Sequence, residues 1–124
     1  MSIVELVHDL QSCREPDREL DTRIAEYIGY EKRVEAPGTP AERVTWHVPW
    51  DPRPTKIPHY TRVIDHAIAL LHQKCPGQTF AFSWRDDELA HAKIATDEPV
   101  AAVTAAAAIC LAVFRHLIPK GYGG

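Results

Sequence analysis

Apolar residues recur at helical spacing from the start of the chain. Ile3, Leu6, Val7 and Leu10 share a face, and Ser2 with Glu5 makes an S-x-x-E capping pattern, which predicts a helix over 3–13. Pro16 and Asp17 restart the chain. Asp17 is placed to cap a second helix whose stripe is Leu20, Ile24, Tyr27 and Ile28 and whose end is Gly29. The pattern then changes. Tyr30–Val34 and Arg43–Val48 predict two short strands around the loop 36–40, and six of the ten prolines fall between Pro37 and Pro58. Closely spaced prolines restrain their predecessors, so Trp46–Pro54 is expected to be ordered but irregular.

Helical spacing returns with Ile64, Ala67, Ile68 and Leu71. It predicts a third helix opening at Tyr60-Thr61, capped by Thr61 and ending near Lys74. Thr79–Trp84 alternates, with Phe80, Phe82 and Trp84 on one face, and reads as a strand. A polar turn at 85–88 leads to a return strand, Leu89–Thr96. Asp97, Glu98 and Pro99 then predict the start of a last helix running to about Leu117, with Arg115, His116 and Lys120 at its negative end. Val100, Val103, Ala107, Cys110, Leu111, Phe114 and Leu117 would fill one broad face of it, and alanines the rest. A helix apolar on nearly every side belongs in the middle of a fold. The tail 119–124 is expected to be loose.

The 124 residues fit one domain, 1–124, able to bury a core without disulfides or metal. Cys13, Cys75 and Cys110 are odd in number and widely spaced, which points to reduced thiols and a cytoplasmic setting. The N-terminus lacks the basic and long apolar regions of a signal peptide. The uncharged run from Pro99 to Phe114 is short of the roughly 20 apolar residues that span a bilayer. Net charge is −3 and uneven: residues 1–35 hold nine acids against five bases, while 36–62 hold Arg43, Arg53, Lys56 and Arg62 against Glu42 and Asp51. So mild a positive band argues against a nucleic-acid partner, because phosphate binding needs clustered cations.

Three segments in order carry a resemblance. They are Asp17-Arg18-Glu19-Leu20-Asp21 with Ile24-Ala25, then Tyr60-Thr61 with Ile64-Asp65 and Ala67, and then an aromatic hairpin (Phe80, Phe82, Trp84) leading into the helix of Ala105, Ala106 and Leu111. Over roughly 17–117 this order resembles the phage ABA sandwich domain family of small phage and prophage proteins. The resemblance implies a three-layer α/β/α sandwich with a small, mainly antiparallel sheet and a phage context. It implies no activity, cofactor or catalytic residue.

Candidate chemistry is sparse. His66 and His72 are six apart and diverge on a helix, His72 and Cys75 meet only at a helix end, and His47 and His59 converge only if the Pro-rich segment folds back. Asp86, Asp87 and Glu88 with His91 could serve a small metal-dependent enzyme, although consecutive acids usually solvate a turn. No GxSxG or glycine-rich phosphate loop is present. The segment Trp46–Tyr60 is the best contact candidate. Trp46, Trp50, Arg53, Lys56 and Tyr60 are residue types that dominate binding hot spots, and the prolines lower the entropy cost of presenting them. The leading expectation is therefore a non-enzymatic accessory protein that binds a host or phage protein, in one form an inhibitor of a bacterial defence complex. Its acids, Glu19 and Asp21, would steer it into a basic channel. A structural component of a virion or transfer particle is the third reading. No pattern in the chain speaks to its oligomeric state.

Overall fold

The computed structural model describes residues 2–85 and 88–118. In chain order these form α1 (Ile3–Ser12), α2 (Arg18–Tyr27), β1 (Glu31–Glu35), β2 (Arg43–Val48), β3 (Asp51–Thr55), α3 (Ile64–Lys74), β4 (Phe80–Ser83), β5 (Ala90–Ile94), β6 (Val100–Ala102) and α4 (Ala105–Leu117). The fold is mixed α/β with antiparallel pairing throughout, the class predicted from the sequence. The strands divide between two three-stranded sheets, sheet A (β1-β2-β3) and sheet B (β4-β5-β6).

The alanine-rich helix is the centre of the core. Every residue of α4 from Ala105 to Phe114 is buried. Its alanines let neighbours approach closely, its Ile109, Leu111, Val113 and Phe114 fill the space around it, and α4 is packed by α1, α3 and the inner face of sheet B. That inner face carries Ala90, Ala92, Ile94 and Ala102, with Phe80 and Phe82 half-buried beside them. Sheet A is built differently. Among the described elements no helix packs along it, β1 is exposed over its whole length, and Trp46 and the neighbouring Tyr30 tie it to the core.

Helix starts follow their caps. Ser2 accepts from the Glu5 amide at 3.2 Å, and Asp17 accepts from the Glu19 and Leu20 amides at 2.8 and 3.4 Å. Gly29 ends α2 at φ +115°, a conformation other residues rarely adopt.

Three expected boundaries move. The last helix starts at Ala105, capped by Thr104, because Val100–Ala102 pairs with β5 as a strand instead of opening a helix. Asp97, expected at the start of that helix, accepts from His116 at the helix's other end, with Nδ1 2.7 Å from Oδ2. The third helix starts at Ile64 without a side-chain cap, because Thr61 is engaged elsewhere. The segment after Val48 forms β3, an edge strand, where Pro52 and Pro54 can sit without breaking a central ladder.

Thr61 belongs to a buried polar network. Its amide and its hydroxyl each donate to Asp21 Oδ1 at 2.8 Å, and its hydroxyl accepts from the Asp17 amide at 2.9 Å. Arg18 donates to Asp21 Oδ2 at 2.9 Å and to the carbonyls of Ile57 and Pro58. The Thr61 carbonyl accepts from the Thr104 hydroxyl at 2.6 Å, and Thr104 caps α4. One carboxylate thus locks α2, the strap 57–61 and the start of α4 together. Replacing Asp21 with alanine would leave the buried Thr61 amide without its acceptor and take the ion pair from Arg18, at a cost of about 2 kcal/mol of unfolding free energy. Exposed Glu19→Ala, one turn away, is expected to cost less than about 0.5 kcal/mol. Urea denaturation of the two variants checks the contrast.

Candidate functional site

Sheet A leans over a cleft. Strands β2 and β3 form one wall through Val44, Thr45, Trp46, Pro54, Thr55 and Lys56. The strap supplies Ile57, Pro58 and His59, and α2 and α3 supply Arg18, Thr22 and His66. The cleft is open and holds about 710 Å³. Its walls carry an indole, a guanidinium, an ammonium and two imidazoles, and among the described lining residues no carboxylate.

Register explains the placement. Lys32 pairs with Trp46, Trp46 with Thr55, and Val34 with Val44, and cross-strand partners share a face. Lys32, Val34, Val44, Trp46 and Thr55 therefore form one face of sheet A. Val34 and Val44 are 44% and 47% exposed there, a directly opposed apolar pair left in solvent. The acids of β1, Glu31 and Glu35, turn to the opposite face with Arg43 and His47.

The imidazoles have defined roles. His66 Nδ1 accepts from the His59 amide at 2.8 Å, so the neutral ring carries its proton on Nε2. The His59 and His66 rings lie 6.2 Å apart. His47 is buried away from them. Its Nδ1 donates to the Pro52 carbonyl at 3.1 Å, and its Nε2 accepts from the Thr45 hydroxyl at 2.9 Å, which fastens β3 onto β2. His47 and His59 are therefore not brought together.

The expected contact residues separate into groups. Trp46 and Lys56 meet in the cleft, Trp46 half-buried and Lys56 exposed. Trp50 is 70% exposed at the β2–β3 turn. Arg53 is exposed, but it is clamped by Asp51 through two side-chain bonds of 3.1 and 3.0 Å. That clamp holds the Asp51 carboxyl below the usual carboxylate range and keeps Arg53 charged, so the pair offers a partner little net charge. Tyr60 is buried, and burial, with Tyr30 beside it, pushes its hydroxyl well above the ordinary tyrosine value. Glu19 lies on the surface, 3.7 Å from Arg23. Asp21 is only 1% exposed and is spent on the internal network, so it cannot steer a partner as expected. Arg18, His59 and His66 were missed as cleft residues. The short Thr61–Asp17 and Thr61–Asp21 links bring the strap back onto α2, and nothing local in the sequence announces them.

Asp86 and Asp87 lie outside the described residues. His91 is exposed on β5, opposite Ser83. Among the described residues no group of three His, Cys, Asp or Glu side chains is placed to hold a metal ion, and no helix is long and apolar enough to cross a membrane. Compared with known proteins, the chain matches no protein-family model, no curated protein and no solved structure.

The thiols are not activated. Burial is the main cause that raises all three above the ordinary thiol value, most strongly Cys110, whose Sγ donates to the Tyr60 carbonyl. A raised value means less thiolate at neutral pH and slower attack. In the folded protein at pH 8, Cys13 should react slowly with a disulfide reagent, and Cys75 and Cys110 only on unfolding. Raised folded values also set the pH slope. Above about pH 9 the unfolded chain loses thiol protons that the folded one keeps, so stability should fall as pH rises past the ordinary thiol value of 9.0, and further past the tyrosine value of 10.0. Urea midpoints from pH 7 to 11 check this.

Proposed function

We propose that the protein is a non-enzymatic binding module that docks a partner protein on the valine–tryptophan face of sheet A and the cleft beneath it. One observation carries this reading: an opposed pair of valines, Val34 and Val44, stands half-exposed on a sheet that no described helix covers, beside a cleft whose described lining has cations and imidazoles and no acid. The chemistry fits a partner segment with apolar side chains flanked by carboxylates. Trp46 and the valines would supply contact area, and Lys32, Lys56 and the Nε2–H of His66 would supply charge and donors. The likeness in segment order to phage sandwich proteins supports a host or phage protein as the partner, with inhibition of a bacterial defence complex as one concrete form.

The test is affinity capture from a host lysate by the wild type and two folded variants, Val34→Glu/Val44→Glu and Trp50→Ala/Arg53→Ala. A stoichiometric partner lost with the valine variant and kept with the other is expected. A partner lost only with the Trp50 variant would move the surface to the β2–β3 turn. Recovery of no partner would contradict the reading.

A further inference from the structure

Sheet edges offer unpaired backbone groups, and folds usually guard them with charge, proline, brevity or a covering element. Among the described strands, three of the four edges are guarded. Strand β1 carries Glu31, Lys32, Arg33 and Glu35, and β3 carries Pro52 and Pro54. Strand β6 has three residues, follows Pro99 and lies beside α1. The fourth edge, β4, is four residues long but has neither charge nor proline along it. Thr79–Trp84 is uncharged, free of proline and paired without a bulge.

Its outer side is open to pairing. The Ala95 amide donates to the Thr79 carbonyl at 2.7 Å, so Thr79 turns its backbone toward β5. By the alternation of an antiparallel ladder, Ala81 and Ser83 do the same, and the backbones of Phe80 and Phe82 turn outward. Among the described strands none pairs with that side.

The side chains are arranged to meet their own copy. Phe80, Phe82 and Trp84 form a stacked row, with ring centroids 6.3 and 6.0 Å apart, that ends on Trp84, which is 54% exposed. The row reads the same in character from either end about Phe82. Ala81 and Ser83 on the opposite face are small and exposed.

We propose that β4 pairs antiparallel with β4 of a second copy about a two-fold axis at Phe82, joining two B sheets into one six-stranded sheet. In this register Phe82 faces Phe82, and each Phe80 faces the second copy's Trp84. All three pairs are aromatic, and each exchanges two backbone hydrogen bonds through groups that already point outward. Ala81 faces Ser83, Arg85 faces Thr79, and no like charges oppose one another. This isologous contact is independent of the sheet A surface.

Sedimentation velocity on the full chain up to about 1 mM tests it, the range in which even a weak association is populated. The wild type is expected to form dimers. Ala81→Glu/Ser83→Glu should be monomeric and folded, because its new carboxylates lie beside Lys93 and His91 within the sheet but face each other across the axis. Mixing it with Ala81→Lys/Ser83→Lys should restore a dimer of one copy of each. A wild type that stays monomeric to 1 mM overturns the proposal. So does a dimer that survives the glutamate variant.

Discussion

A carboxylate with almost no solvent contact is costly unless its charge and lone pairs are satisfied, and Asp21 meets that demand with three donors. Two come from Thr61, 40 residues along the chain, and one from Arg18, which also holds the carbonyls of Ile57 and Pro58. The requirement fixes where the strap 57–61 must lie. The strap in turn fixes where β3 ends, where α3 can begin and, through the Thr61 carbonyl and Thr104, where α4 begins. The cleft beneath sheet A is the space that this geometry leaves between the returning strands and α2.

The two halves are stabilised by different means. Sheet B gains stability by burying its inner face on α4, whose first turn of alanines lets neighbours come close and whose Ile109, Leu111, Val113 and Phe114 fill the core beyond it. Sheet A buries little. Its strands hold together through their own ladders, the His47 bridge from Thr45 to Pro52, and the Trp46 anchor. A sheet fastened mainly at its base leaves its faces free for another molecule, and that division links the packing to the proposed docking role.

Much of this was legible in the chain. Capping residues and 3.6-residue spacing located α1 and α2, the proline loop 36–40 marked β1 and β2 on either side of it, alternation located β4 and the polar turn after it the return strand β5, and uniform apolarity placed α4 at the centre. What escaped depends on distant partners. Val100–Ala102 has nothing intrinsic to hold it out of a helix, and β5 makes it a strand. Thr61 looks like a helix cap until Asp17 and Asp21 claim it. Tyr60 and Asp21 have the residue types of contact surfaces, yet both are interior, because type does not report burial. Trp46 and Lys56 were legible as contact candidates, whereas Arg18, His59 and His66 join them only through the fold of the strap.

Sheet A is held as a separate, weakly supported unit on a body unified by α4 and the Asp21 network. Native-state hydrogen exchange in increasing urea tests it most directly. Amides of the β1–β2 ladder are expected to exchange through local openings that depend little on urea, while those of Ala92 and Leu111 exchange only with global unfolding. Equal protection and equal urea dependence across both groups would show one cooperative unit and contradict the account.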